Sequence, residues 1–516
     1  MTQHIEILFI NPGRPANTYQ GLSDEFSAVE PPVIALGLMD YMLNRGATCK
    51  LLDVAAGAAD ELDAIAIEGS HVQPSMVVVA VYGFQPSAST QNMDSAYLIA
   101  GACKEAWGRD IPVILTGTHP SALPRQTLAE CVAVDGVIQG EGPVTIWKLW
   151  QAIVKGGMPT DVRLPGYWAR MADDPKTLCM PPAHKEDLIA DLGREMPRGG
   201  LIWGDMDLTR YRAHNWHTMT NPLGFSQGNR SPYASIHTSL GCPYNCAFCC
   251  INAPFGKPSY RLWPAEQVVR EIAYLVEVCG VTNIKIADEM FLLNDNHVQG
   301  ICTGLISRGL GSKLNIWAYA RVDTVQNMET VEMLRAAGIR WLALGIESAS
   351  ELVRDGQDKK FKYDDIASAV AGVQKMGVKV LGNFIFGLPD DTVGSMRETE
   401  AMAMSLNLDW INYYAAMAYP GSRLYDDASK QSGKLPARWG DFSQHAYGSF
   451  PLSNATLSAA DILGFRDAAW TRTFHDPNYL NSIAASFGAE AVAHVKRMAE
   501  HKLRRRLLGD SERPRP

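Results

Sequence analysis

The chain has 516 residues, 47% of them hydrophobic and 20% charged, with a net charge of −8. This is ordinary globular composition and excludes a disordered, collagen-like or coiled-coil chain. The acidic balance argues against a general nucleic-acid binder, which carries a basic footprint. No apolar run approaches the ~20 residues that span a bilayer. Met1-Thr2-Gln3-His4 has neither the basic region nor the apolar core of a secretory signal. A soluble, cytoplasmic protein is expected, and at roughly 150 residues per domain the length allows about three domains.

Short apolar strands and helical patterns alternate through the first 155 residues. Strands are expected at Ile5–Ile10, Cys49–Val54, Met76–Tyr82, Pro112–Thr116 and Gly136–Gln139, with helices at Val33–Arg45 and Met93–Trp107. The nearly continuous valine run at Met76–Tyr82 suits a strand buried on both faces. This rhythm predicts a doubly wound parallel sheet, which binds ligands beyond the carboxyl ends of its strands. Residues 156–230 lose the alternation and read as an irregular connection. From Tyr233 it returns, with strands expected at Ala234–Thr238, Asn283–Ala287, Asn315–Tyr319, Trp341–Gly345, Lys379–Phe386 and Trp410–Ala416. Helical patterns fall at Ala265–Cys279, Met328–Ala337 and Tyr363–Met376. Six βα units predict a partial parallel barrel over 231–430. Residues 431–516 read as a small, mostly helical region ending in a basic helix, Lys502-Leu503-Arg504-Arg505-Arg506.

Four of the ten cysteines crowd into nine positions, Cys242, Cys246, Cys249 and Cys250, on a loop after the first barrel strand. The C-x3-C-x2-C spacing of the first, second and third lets three thiolates hold three irons of a [4Fe–4S] cluster and leaves one iron open. Structural zinc usually wants two paired ligand groups, and no second pair lies nearby. Buried, unreactive thiols fit the six scattered cysteines better than three in eight residues. Cys250 points away from its neighbour and reads as a non-ligand.

With this motif the segment Tyr233 to Tyr425 resembles the radical S-adenosylmethionine (SAM) superfamily. The resemblance implies that SAM chelates the open iron and is cleaved to a 5′-deoxyadenosyl radical. It assigns the SAM ammonium to Asp288 or Glu289, the carboxylate to Arg321, and the ribose to Glu347 and Ser348. Gly382 and Phe384, in Gly382–Pro389, lie on the strand whose backbone runs along adenine. Taken alone, each of these short motifs also suits a helix cap, a solvated loop or a plain buried strand.

The αβ unit ahead of the barrel resembles the Rossmann-like cobalamin-binding domain of one radical SAM subgroup. The segments Thr116–Pro124 and Asp135–Gly142 carry that likeness, which implies cobalamin contacts from Asn11, Arg14, Gly117, Thr118, His119, Gly140 and Glu141. The loop after the first strand, Asn11-Pro12-Gly13-Arg14-Pro15-Ala16-Asn17, has no histidine. The cobalamin is therefore expected base-off, without a His ligand. The family implies a C-methyltransferase of the EC 2.1.1 type. The 5′-deoxyadenosyl radical takes hydrogen from an unactivated carbon, which then receives methyl from methylcobalamin. The alternative keeps both cofactors for a rearrangement, ring contraction or cyclisation without methylation. A sensor without turnover fits the SAM landmarks poorly. A small-molecule substrate, such as a natural-product intermediate, and an electron donor such as flavodoxin or ferredoxin are the implied partners.

Overall fold

The computed structural model describes residues 3–13, 15–170, 179–180, 185, 188–198 and 201–512. The N-terminal sheet contains β1 (Gln3–Asn11), β2 (Cys49–Asp53), β3 (Val72–Val81), β4 (Val113–Gly117), β5 (Gly136–Ile138), β6 (Tyr167–Arg170) and β7 (Cys179–Met180). Its order is β2-β1-β3-β4-β5-β6-β7. The first five strands are parallel. Met76–Val81 is buried along its whole length at the centre of the sheet, as its valine run requires. The chain leaves β1 toward β2 and returns to β3 on the other side. The loops after β1 and β3 therefore part, opening a crevice at the carboxyl edge.

Two expectations are corrected. Residues 156–230 are not wholly irregular, because β6 and β7 extend the sheet in antiparallel fashion. The signal in β6 is only four residues long, with Tyr167 and Ala169 turned inward. The basic tail is not a helix either. Residues 501–505 are irregular, and only Arg506–Leu508 forms a single 3-10 turn. Arg505 is buried, with its guanidinium on both carboxylate oxygens of Asp467. A buried pair of this kind replaces the solvated helix face that the composition indicated.

The second sheet begins with β8 (Tyr233–Ile236). A small antiparallel hairpin, β9 (Ser239–Leu240) and β10 (Arg261–Leu262), brackets the cysteine loop. Five more strands follow: β11 (Asn283–Ile286), β12 (Asn315–Arg321), β13 (Ile339–Glu347), β14 (Lys379–Phe386) and β15 (Trp410–Ala415). The order β15-β14-β13-β12-β11-β8 is parallel throughout and leaves β8 and β15 as free edges of a six-stranded partial barrel. Helices Ala265–Glu277, Asp295–Ser307, Met328–Ala336, Tyr363–Lys375 and Val393–Ser405 separate these strands, and the first, third and fourth lie close to where the apolar periodicity places them.

The C-terminal helix Ala459–His475 covers the β15 edge. Arg466 Nε donates to the Tyr413 carbonyl at 2.9 Å, and Thr473 Oγ1 meets Tyr413 Oη at 3.1 Å. The 438–445 segment reaches back to the N-terminal sheet. Trp439 Nε1 donates to Glu130 at 2.7 Å, and Gln20 Nε2 donates to the His445 carbonyl at 2.7 Å. Both sheets and the C-terminal region thus wall one interior. Among the described residues no helix is long and apolar enough to cross a membrane.

Candidate active site

The cysteine loop leaves the carboxyl end of β8, the face where parallel barrels place their chemistry. Its root is pinned by Asp288, whose carboxylate accepts from Thr238 N at 2.6 Å, Thr238 Oγ1 at 2.5 Å and Ser239 Oγ at 2.7 Å. Inside the loop Cys249 N donates to the Cys246 carbonyl at 3.0 Å, turning the chain so that Cys242, Cys246 and Cys249 sit near one another. Burial pushes the Cys242 thiol up to about 11, with Glu289 adding to the rise. Cys250 is buried and is pushed up to about 12 by the same two causes. A group of opposite charge is needed to bring such thiols to thiolate, and iron supplies it. Among the described residues no three His, Cys, Asp or Glu side chains converge on the position of a single metal ion.

The SAM candidates divide by what already occupies them. Asp288 is fully used in holding the loop root. Glu289 accepts no hydrogen bond among the described residues, and its carboxyl is pushed up to about 7. Burial is the main cause, opposed by Lys285 and reinforced by Asp288. Sequence alone left the two acids equivalent, and the hydrogen bonds single out Glu289 as the free acceptor. Arg321 stacks on Tyr244 at 4.0 Å, chelates Asp323 at 2.9 Å through Nε and Nη2, and points Nη1 at Cys246 Sγ at 3.7 Å. Glu347 has a left-handed backbone (φ +68°) and a buried ion pair with Lys359. Lys359 is a residue that sequence reasoning missed, since nothing in the run Asp358-Lys359-Lys360-Phe361-Lys362 marks one of its three lysines from the others. Ser348 is engaged with Thr399 Oγ1 at 3.1 Å. Phe384 is wholly buried in the core, and beside it Gly382 leaves no room for a side chain against Leu408. This stretch therefore offers backbone rather than side chains.

The cobalamin candidates also separate. Asn11 donates to Asp53 at 2.8 Å, and Asp53 is held from the other side by Tyr211 at 2.8 Å. Arg14 lies outside the described residues. Thr118 is buried. Gly140 N donates to Ser121 Oγ at 3.3 Å. Glu141 forms an ion pair with Arg261 of β10 and accepts from Ile189 N at 2.9 Å, tying the first sheet to the cysteine hairpin. His119 is fully buried, pushed down to about 3 by burial and so uncharged. Its ring meets Trp439 edge-on at 4.5 Å and Nδ1 faces Thr90 Oγ1 at 3.3 Å. Its Nε2 has no partner among the described residues, an orphaned polar atom at the carboxyl end of β4. Gly117 has φ +149°, and a Cβ there would lie 2.0 Å from the Val81 carbonyl. Gly117→Ala is expected to destabilise the N-terminal sheet by about 1–3 kcal/mol, the usual scale of overpacking, read as a lower melting temperature and faster proteolysis.

A cavity of about 900 Å³ occupies the space between the two sheets and the C-terminal helix. Trp317, Tyr319 and Tyr414 line it from the barrel, Phe84 from the loop after β3, and Arg466 and His445 from the C-terminal region. At its floor Lys285 Nζ donates to Glu30 at 2.9 Å and to the Phe84 carbonyl at 2.8 Å. Trp317, Tyr319, Tyr413 and Tyr414 reach the cavity, whereas Trp263 and Phe291 lie in the core away from it.

Comparison with known proteins agrees with this architecture. Residues 236–403 match the family model of the radical SAM superfamily. An "uncharacterized methyltransferase" of Pyrococcus horikoshii is 29% identical over 353 residues, covering 68% of this chain and 70% of the relative. The anaerobic magnesium-protoporphyrin IX monomethyl ester cyclase of Rubrivivax gelatinosus is 28% identical over 320 residues, 62% of this chain and 53% of the cyclase. The radical SAM methyltransferase TsrM of Kitasatospora setae, solved with tryptophan and a SAM analogue, superimposes with a TM-score of 0.65 at 17% identity. That match covers 95% of this chain and 98% of TsrM. The cobalamin-dependent radical SAM enzyme OxsB, solved with aqua-cobalamin and SAM, gives 0.66 at 14% identity, covering 96% and 71%. The chain carries a radical SAM domain. Over nearly its whole length it has the fold of the cobalamin-dependent radical SAM enzymes.

Proposed function

We propose that this chain is a cobalamin-dependent radical SAM methyltransferase that methylates a carbon of a small organic molecule. One contact carries the reading. Gly421 (φ +91°) sits where a side chain would meet Ala253 at 2.7 Å, Ala122 at 3.3 Å and Cys250 at 3.7 Å. The cysteine loop and the short helix Thr118–Ala122 after β4 therefore come together at Gly421. The methyltransferase names among the relatives support the same reaction class.

Cys242, Cys246 and Cys249 would hold a [4Fe–4S] cluster, and the free Glu289 carboxylate suits the SAM ammonium. Arg321 stands beside Cys246, and Lys359 holds Glu347 for a ribose hydroxyl. The loops after β1, β3, β4 and β5 would hold the corrinoid, base-off, with the orphaned His119 Nε2 ready for one of its polar groups. When bound, the cluster supplies an electron that cleaves SAM to an organic radical, and the corrinoid carries a methyl group. The chain's own work is to orient substrate and exclude water, and the aromatic cavity walls suit both. An external flavodoxin- or ferredoxin-type donor would deliver the electron. The domains proposed are 1–155, a connection over 156–230, 231–430 and 431–516.

Anaerobic reconstitution with iron, sulfide and hydroxocobalamin, then SAM and reductant, tests the reading. Tightly held corrinoid and 5′-deoxyadenosine are expected, with a substrate product heavier by one CH2. Radical formation without corrinoid binding would sink it. A product lacking the added carbon would favour the second reading, a cyclisation or rearrangement, which the likeness to the cyclase supports. Within the same assay Glu289→Gln is expected to raise the SAM concentration required by about tenfold, the lower range for loss of a charged hydrogen bond, with iron content unchanged. Asp288→Asn, by loosening the loop root, is expected to lower iron content instead.

A further inference from the structure

The cavity is aromatic along most of its length but carries a buried positive charge in one wall. Arg466 is 6% exposed. Its Nε donates to the Tyr413 carbonyl at 2.9 Å and Nη1 to Asp467 Oδ1 at 2.8 Å, and its Nη2 has no partner among the described residues. Asp467 is already shared. Arg505, 1% exposed, donates to its two oxygens at 2.8 and 3.0 Å. Two guanidinium groups thus meet one carboxylate.

The surrounding charges do not cancel the excess. Lys285 is matched by Glu30 and Arg472 by Glu400. Asp510 is exposed at the rim and accepts from the Arg505 backbone N–H. His445 is pushed down to about 3 by burial and by the two arginines, so it is uncharged. An unmatched charge in a desolvated wall is costly unless something neutralises it, and a guanidinium is the side chain suited to carboxylate or phosphate.

We propose that Arg466 anchors an anionic group of the substrate, a carboxylate or phosphate, while a ring-bearing apolar body lies against Trp317, Tyr319 and Tyr414. The inference rests on reading this cavity as the substrate site. The same anion chemistry is present in the phosphodiester of a corrinoid tail, so the test separates the two sources.

The probes are pyrene-1-butyrate, its amide and pyrene-1-butylamine, measured by equilibrium dialysis against the reconstituted, cobalamin-loaded protein. The wild type is expected to retain the acid at least tenfold more tightly than the amide, and the amine least. Arg466→Gln should abolish the acid preference and leave amide affinity within twofold, whereas Arg466→Lys should keep it. The acid–amide–amine ladder on the wild type needs no variant to fold. Equal binding of acid and amide, binding of neither, or a preference that survives Arg466→Gln overturns the proposal. A preference seen only without corrinoid assigns the anion site to the cofactor and overturns it too. Because dialysis reads neither SAM cleavage nor methylation, failure of the methyltransferase reading registers separately.

Discussion

Alanine at Cys242, Cys246 or Cys249 is expected to abolish both the iron–sulfur absorption and 5′-deoxyadenosine formation, whereas Cys250→Ala retains both. Three thiolates are the minimum that leaves one open iron, so no ligand is redundant. Changes to partners behind metal ligands already cost about 10–100-fold, and loss of a ligand itself is expected to exceed that. Cys250 differs in place rather than chemistry. It is 3% exposed and packs beneath Gly421. Iron and sulfide per chain, measured with the product rate, check all four variants. Full activity in any of the first three, or loss of iron in Cys250→Ala, would reassign the ligand set.

The second large effect is expected at the cavity floor. Glu30 and Lys285 are each 3% exposed and pair at 2.9 Å, with Ser235 Oγ donating to Glu30 at 3.1 Å and His214 Nε2 3.5 Å away. Burial by itself pushes the Glu30 carboxyl up, and Lys285 and His214 outweigh it, holding the group down at about 2 against an ordinary 4.5. Lys285→Met strands that carboxylate, and breaking a buried pair from one side costs about 3–5 kcal/mol. A fall in melting temperature of roughly 3–5 °C is expected for a chain of this length. Glu30→Gln added to Lys285→Met should recover much of it, because no charge is then left unpaired.

The pH dependence of this pair has a definite sign. A carboxyl whose folded pKa lies below its unfolded value adds stability above the unfolded value and loses it as the pH falls through the folded one. A lowering from 4.5 to about 2 corresponds to about 3 kcal/mol. The gap between wild type and Lys285→Met is set by the two folded-state values, so it should close as the pH falls from the variant's burial-raised carboxyl value toward the wild type's value of about 2. Melting curves across that range test it, and a gap that widens on acidification would place the charge elsewhere. Lys285 also donates to the Phe84 carbonyl, so the variant should loosen the loop after β3 and weaken corrinoid retention.

Local pattern carries far in this protein. Met93–Trp107 and Lys379–Phe386 appear with the bounds their pattern predicts, because a long amphipathic or apolar run has few ways to bury its apolar side. The cysteine spacing needs no tertiary information, since its ligands lie within one loop. Short or polar signals fare worse. The four residues of β6 are strand because Gly136–Ile138 presents them an open edge. The Arg504–Arg506 run is not a helix, because Asp467 and the Ala446 carbonyl draw Arg505 inward. Periodicity is a property of one segment, and a partner from elsewhere in the chain is invisible to it.

The sequence by itself determined the two αβ units, their order and the cysteine loop, since each depends on residues a few positions apart. Only the tertiary structure decided which polar side chains are free to act. Asp288 and Glu289 are neighbours in sequence, but three hydrogen bonds from Thr238 and Ser239 consume one and leave the other. Glu141 lies on a segment read as a ligand contact, and only the fold shows its carboxylate meeting Arg261, 120 residues away. Arg466 looks like one more helix cation until Asp467 is found already shared with Arg505. Hydrogen-bonding capacity is finite, and which groups use it up is settled by residues that meet only when the chain has folded.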